Sequence, residues 1–319
     1  MVRWGIVGTG SIANTMASTF REMDDVDLVG VASHSARSES FAQQWGCRSF
    51  ETVEALAHAG IEAAYIGSSN HHHLPDSLTL IRAGIPVLCE KPMGVDHSQA
   101  LRMVNEARDS EILLMEAMWM RFHPFWDLLV NLIEEEVGVL TSIRADFGIK
   151  PPAAVDRRWF SREQGGGALL DIGIYPITFA GLLAGNPVEI LALGHSAPTG
   201  VDTHVSAVLR HPGGVVSTFT CSFEARIPIT ATVAGSNATI EIDAPFFVPP
   251  SMRISRSDGD YREFDLTVDG SAYRFEVEEF HRCLADGLTE SIDHPLDATL
   301  AVMNTLDEVR AAAGLQPLI

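Results

Sequence analysis

Trp4-Gly-Ile-Val-Gly8-Thr-Gly10-Ser-Ile-Ala13 decides the fold. A short apolar run meets a Gly-x-Gly-x-x-Ala turn. Ile12, Met16 and Phe20 then recur at four-residue spacing, which is one face of a helix. The first glycine permits the tight turn. The second lets the backbone approach a pyrophosphate, and the small third residue lets the helix pack on the strand. The helix N-terminus adds unpaired N–H groups and the positive end of its dipole. Gly8, Thr9, Gly10, Ser11 and Ile12 are therefore read as dinucleotide contacts at the start of a βαβ unit.

Outward from this turn the same rhythm continues. Apolar runs at 28–32, 63–66, 86–89 and 112–115 read as strands, and 38–45, 74–83 and 98–110 read as helices. The strands are apolar throughout rather than alternating, as expected when helices cover both faces of a parallel sheet. After about residue 120 the pattern changes. Strand-like runs at 203–210, 215–223, 229–234 and 238–242 follow one another closely, separated by turn residues, which favours antiparallel pairing. Helices near 273–286 and 297–313 close the chain. The expected fold is α/β: an N-terminal Rossmann domain over 1–120 with a doubly wound parallel sheet, then an α+β domain over 121–319 with a large, open, mostly antiparallel sheet.

Composition narrows the function. Hydrophobic residues make up 46% and charged residues 20% of the 319, enough for a normal core. The net charge of −20 argues against a nucleic-acid partner, which would need a basic face, and against an anionic membrane surface. The four cysteines form no Cys-x-x-Cys pair, so neither a zinc knuckle nor a disulfide framework is indicated, and free thiols suit a reducing compartment. No signal-peptide pattern opens the chain. The most apolar stretch, 168–184, contains Asp171 and Pro176 and falls short of the roughly 20 residues of a membrane span. The expectation is a cytoplasmic protein with a small-molecule substrate.

Four further segments bear on chemistry. An acidic residue about 20 positions after the glycine turn would bind the ribose 2′-hydroxyl of NAD. Ser33 stands there instead, followed by His34 and Arg37. A guanidinium can bind a 2′-phosphate bidentately, so NADP is the expected cofactor, with use of NAD left open. His71-His72-His73 suggests a metal, but consecutive residues share no face of a helix or strand, and no carboxylate or cysteine cluster accompanies them. No metal is expected, and His73 is read as a helix-start residue beside the cofactor. Glu90-Lys91-Pro92 ends an apolar strand, at the edge that faces the ligand crevice in doubly wound sheets. Lys91 is thus a catalytic candidate or a surface lysine before a turn. Gly165-Gly-Gly167 implies a close backbone approach. Beyond it Asp171 and Tyr175 lie four apart in an apolar stretch, where an unpartnered Asp would be expensive. Pro176 calls for a kink or a helix restart.

Together these segments resemble the Gfo/Idh/MocA oxidoreductases, over the whole chain. The resemblance is most specific at 8–13, Ser69-Asn-His-His-His73, Glu90-Lys91-Pro92 and 165–176. Within the family the chain looks most like the dimeric dihydrodiol dehydrogenases and NADP-dependent D-xylose dehydrogenases, through 165–175, 116–124, Thr199-Gly-Val-Asp202 and Phe219-Thr-Cys-Ser-Phe223. The resemblance implies that Ser68, Ser69, Asn70, His73, Glu90 and Arg158 border the cofactor, and that Trp119, Arg121 and Trp159 border the substrate. It implies that Lys91 lies near the nicotinamide and the substrate hydroxyl. Tyr175 would be the acid/base, where inositol dehydrogenases carry His, with Asp171 as its carboxylate partner. Ser69 departs from the family's usual Pro. An open sheet that often forms the oligomer interface is also implied, hence a homodimer or homotetramer through the C-terminal sheet.

The expected reaction is hydride transfer between a sugar or vicinal-diol hydroxyl and the nicotinamide, with Tyr175 taking the hydroxyl proton. To work near neutrality a tyrosine pKa must fall from about 10 to about 7, which takes about 4 kcal/mol. A positive Lys91 lowers it; Asp171 alone would oppose, so Asp171 is expected to pair with Lys91. Two alternatives stay open: a non-catalytic NADP(H)-binding regulator, and a reductase of a non-sugar carbonyl.

Overall fold

The computed structural model describes residues 1–151 and 157–318. In the first half, strands and helices alternate: β1 (Val2–Val7), α1 (Ser11–Arg21), β2 (Val26–Ala32), α2 (Ser38–Trp45), β3 (Arg48–Phe50), α3 (Val53–Ala57), β4 (Ala63–Ile66), α4 (Asn70–Arg82), β5 (Val87–Glu90), α5 (His97–Asp109) and β6 (Leu114–Ala117). The second half holds α6 (Phe125–Leu132), β7 (Leu140–Gly148), α7 (Ile174–Ala184), β8 (Glu189–Ser196), β9 (Asp202–Arg210), β10 (Val216–Ser222), β11 (Ala231–Gly235), β12 (Ala238–Ile242), β13 (Ser251–Arg256) and β14 (Tyr261–Asp265), followed by α8 (Arg274–Ala285) and α9 (Leu296–Ala312).

Two compact units result. The first joins Met1–Phe122 to Asp269–Leu300; the second joins His123–Val268 to Ala301–Ile319. The sequence reading has one boundary near 120, whereas the chain returns to the first unit after β14. The reason is packing. Val277, Phe280 and Cys283 on one face of α8 are buried in the same core as Trp4, Phe20 and Leu88. Trp4 holds that core, its ring 5.0 Å from both Phe20 and Phe280.

In the first unit β1–β6 form one sheet in the order β3-β2-β1-β4-β5-β6, and every pair is parallel. The order reverses between β1 and β4, and the crevice beyond the C-terminal ends of those two strands is where doubly wound sheets bind ligands. β1, β4, β5 and β6 are buried almost throughout, which explains their unbroken apolar sequences. Helix α4 starts four residues earlier than its apolar periodicity indicates, taking in all three consecutive histidines, with Pro75 inside it.

The second unit carries an eight-stranded sheet, β14-β13-β12-β11-β7-β10-β9-β8. It is antiparallel except for the β7–β10 pair. β7, β8, β13 and β14 escape the sequence reading; β8 and β14 are sheet-edge strands with mostly exposed residues. On one face lies α7, apolar all round and buried from Ile174 to Ala180. A wide π turn, Leu169–Gly173, leads into it, so α7 restarts at Ile174. Pro176 therefore falls in a first turn, where a missing N–H costs little. The opposite face of β8 and β9 is open, with Leu191 64% and Leu193 80% exposed.

Candidate active site

The glycine turn has the geometry of a phosphate cradle. Gly8 has φ +113°, and a Cβ there would stand 2.5 Å from the Gly67 carbonyl oxygen at the end of β4. Only glycine allows both the conformation and the approach. Gly10 is different: a Cβ there would meet nothing within 4 Å. Gly10 caps α1 without any side-chain cap bond, and the first turn holds no acidic residue. The leading N–H groups of the helix thus face open space, which fits a dinucleotide pyrophosphate.

The end of β2 lies beside this cradle. The Thr9, Ser33 and Ser35 hydroxyls form a mutual triangle at 3.0–3.2 Å. His34 pairs through Nε2 with Asp76 Oδ1 at 2.8 Å and stacks on His72, centroids 3.8 Å apart. Burial and then the His34 charge push His72 down to about 4. The other Asp76 oxygen accepts from the Ser68 hydroxyl at 2.8 Å. A cavity of about 290 Å³ opens here, lined among others by Ser33, His34, Thr52, Val53, Pro75 and Asp76. Arg37 caps α2, with its side chain exposed. Ser69 caps α4, and Asn70 is its first residue.

Lys91 follows the last residue of β5, and its peptide to Pro92 is cis. The chain around it is held from several sides. The buried Glu90 carboxylate accepts from the Tyr65 hydroxyl at 2.5 Å and from the Lys91 N–H at 3.2 Å. His73 Nδ1 lies 2.8 Å from the Pro92 carbonyl oxygen. The Met93 N–H donates to Glu116 Oε1 at 3.1 Å, and Glu116 Oε2 accepts from the Thr299 hydroxyl at 2.9 Å.

Two residues expected beside the cofactor are buried and engaged with the protein's own groups. Glu90 is 5% exposed and engaged with Tyr65. His73 is 1% exposed, with both ring nitrogens against backbone carbonyls.

Burial raises the Glu90 carboxyl to about 7, the nearby Lys91 charge opposing and Glu116 adding. Glu276, on the first turn of α8, is fully buried. Neither of its carboxyl oxygens has a hydrogen-bond partner among the described residues. Burial and then Glu90 push it well above the usual carboxylate range. Tyr65, Glu116 and Glu276 escaped the sequence reading. Glu116 carries a signal in hindsight, a lone acid inside the apolar run of β6.

Trp119 stacks on Tyr273 with centroids 4.3 Å apart, and Arg121 lies 3.8 Å from Asp293. These four belong to the first unit.

Arg158, Trp159, Asp171 and Tyr175 belong to the second unit. A Cβ on Gly166 would stand 2.5 and 2.6 Å from the carbonyl oxygens of Arg158 and Trp159. One on Gly167, at φ +121°, would stand 2.5 Å from Asp202 Oδ1. Asp202 in turn accepts from the Leu169 N–H at 2.5 Å and from Arg310 at 2.8 Å, all buried. Gly166 and Gly167 thus pack against their own chain and fix the start of the π turn that carries Asp171. Trp159 stacks on Phe223 at 5.8 Å, and its buried indole N–H has no partner among the described residues. The Tyr175 ring lies against Phe147 at 5.7 Å and Phe247 at 4.7 Å, which are themselves 5.1 Å apart.

Among the described residues no group of three metal-ligating side chains exists, and no helix is long and apolar enough to cross a membrane.

Residues 2–118 match a family model described as an oxidoreductase family with an NAD-binding Rossmann fold, and residues 130–241 match the GFO/IDH/MocA C-terminal domain. Trans-1,2-dihydrobenzene-1,2-diol dehydrogenase from Mus musculus is 36% identical over 98% of this chain and 97% of its own. The Homo sapiens enzyme of the same name is 34% identical over the same shares. A solved 3-ketoreductase from Actinomadura kijaniata, in complex with NADP and TDP-benzene, superposes with a TM-score of 0.88 at 27% identity, covering 98% of this chain and 97% of that one.

Proposed function

The chain belongs to the GFO/IDH/MocA oxidoreductase family, and from that premise we propose that it is an NADP-dependent dehydrogenase acting on a sugar or vicinal diol. The observation that carries the reading is the pairing of an open phosphate cradle at Gly10 with a lysine whose backbone is braced at Glu90, Pro92 and Met93. The full-length likeness to dihydrodiol dehydrogenases and the likeness to an NADP-bound sugar ketoreductase support the substrate class.

The preference for NADP rests on the end of β2. Ser33 occupies the position where NAD enzymes place a carboxylate, and Arg37 is exposed to meet a 2′-phosphate. Of the acids that line that cavity, Asp76 is buried and engaged with His34 and Ser68, while Glu51 and Glu54 are exposed. Bound nicotinamide supplies the acceptor or donor of the hydride. Tyr175 takes the hydroxyl proton as the substrate is oxidised and returns it in the reverse direction. Phe147 and Phe247 fix its ring. Lys91 stabilises the developing alkoxide with its charge. Trp119, Arg121 and Trp159 face the substrate, with the unpartnered Trp159 N–H as a donor to a sugar or diol hydroxyl. Arg158 serves the cofactor side.

The open face of the eight-stranded sheet is our candidate oligomer interface. Leu191, Leu193 and Val208 line a groove of about 750 Å³ there with Arg144 and Asp146, and a homodimer or homotetramer would cover it. The free cysteines fit a cytoplasmic setting.

The test is the absorbance change of the nicotinamide with purified protein, NADP⁺ against NAD⁺, over aldoses, polyols and vicinal diols. Turnover with NADP⁺ and one substrate class is expected. Tyr175→Phe should lower kcat by about 100-fold or more while leaving NADPH affinity within a few-fold. Undiminished turnover in that variant removes Tyr175 from the chemistry. Silence across the panel in a protein that binds NADPH would point to the regulator or to a carbonyl reductase.

A further inference from the structure

His73 sits on the first turns of α4, 1% exposed, between two backbone carbonyls. Nδ1 is 2.8 Å from the Pro92 oxygen, and Nε2 is 3.2 Å from the Ser68 oxygen. Both oxygens are acceptors, so no neutral tautomer can satisfy both; a neutral imidazole has one N–H. Burial pushes the ring toward the neutral form, and Lys91 acts the same way, against Asp76 and the two carbonyls. A single proton therefore has to choose. The 2.8 Å contact is the length of an N–H···O bond, and 3.2 Å is at its outer limit. The proton belongs on Nδ1, and the Ser68 carbonyl faces a bare nitrogen.

The favoured partner is the residue after Lys91. Glu90 holds the Lys91 N–H, and Glu116 holds the Met93 N–H. The Pro92 carbonyl between them is held from α4 by His73. Proline has no N–H, so its carbonyl is the group by which this peptide can be anchored. We propose that His73 is a positioning residue for Lys91: as the Nδ1–H tautomer it grips the Pro92 carbonyl and fixes the backbone from which Lys91 projects. The inference rests on the reading of Lys91 as the alkoxide-stabilising cation.

Asparagine and glutamine separate the two nitrogens. The Asn amide N–H can stand near the Nδ1 position, while the longer Gln places its amide near Nε2. His73→Asn should keep kcat within about 5-fold of the parent, whereas His73→Gln and His73→Phe should lose about 100-fold, the scale of a 1 Å misplacement of a catalytic group. The NADPH dissociation constant should move by less than about 3-fold in each, because the cradle at Gly8–Ser11 makes no described contact with His73. Equal damage from Asn and Gln, or a loss seen in NADPH affinity rather than kcat, overturns the proposal. Nitrogen-15 NMR of the histidine-labelled, NADPH-bound parent protein reads the tautomer directly, whether or not the variants fold. Protonation at Nδ1 is expected, and protonation at Nε2 alone overturns it. Lys91→Met separates the layers. If it turns over normally, the reading of Lys91 fails and this inference with it. If it is dead while His73→Gln is active, only the inference fails.

Discussion

The two glycine-rich turns use the same residue for opposite ends. At Gly10 the space a side chain would take stays empty, in front of the first N–H groups of α1. At Gly166 and Gly167 that space is filled by the protein itself, by the carbonyls of Arg158 and Trp159 and by the Asp202 carboxylate. The first turn reserves room for a ligand. The second consumes room to lock a segment that carries Asp171 and Tyr175. A cluster of glycines in a sequence therefore announces a close approach without saying what approaches.

The contrast breaks first at Asp202. Asp202→Ala leaves the buried Arg310 charge and the Leu169 N–H without their partner. A loss of about 3–5 kcal/mol is expected, read by denaturant unfolding. A loss below 1 kcal/mol would mean that the lock is elsewhere. Gly167→Ala should come next, at about 3 kcal/mol, since φ is +121° and the new methyl overlaps Asp202. Gly10→Ala sharpens the contrast from the other side. Its φ of −74° suits any residue, so unfolding should change by less than about 1 kcal/mol. NADPH affinity should nevertheless fall by about 100-fold, or about 2.7 kcal/mol, as a methyl enters the cradle. Unaltered NADPH binding by calorimetry would put the pyrophosphate somewhere else.

A further effect concerns pH. Glu90 and Glu276 hold protons more tightly folded than unfolded, where both titrate near 4.5. Their contribution is complete below pH 4.5 and is lost as pH rises through the raised native values, about 7 for Glu90. Each proton contributes a slope of up to about 1.4 kcal/mol per pH unit in that window. Glu276→Gln should flatten the alkaline decline. A curve as steep as the parent's would show that Glu276 is already ionised in the native protein.

Much of the first unit was legible because periodicity and glycine placement are local signals. The span 38–45 coincides with α2, and the Gly8–Ala13 turn sits where its spacing puts it. β3 was not legible, since two exposed residues and one half-buried one leave no period to read. Nor was Glu276. An acid on an amphipathic helix looks solvated until α8 is seen packing beside Glu90. Glu90 and Lys91 show the limit most plainly. One ends the strand in the core and the next is half-buried just beyond it, and the sequence Glu-Lys-Pro does not tell them apart. The partner of Gly167 lies 35 positions downstream at Asp202, beyond the reach of any local pattern.

The return of the chain to its first unit has a consequence in time. During synthesis residues 1–122 leave the ribosome without the helix that covers Trp4, since Phe280 and Val277 come after the whole second sheet. At usual elongation rates the intervening stretch takes roughly 10–30 s to make. For that interval a nearly complete dinucleotide fold waits with an apolar flank uncovered. A late-made helix finishes the part made first, and a nascent chain halted before α8 is a natural client for chaperones.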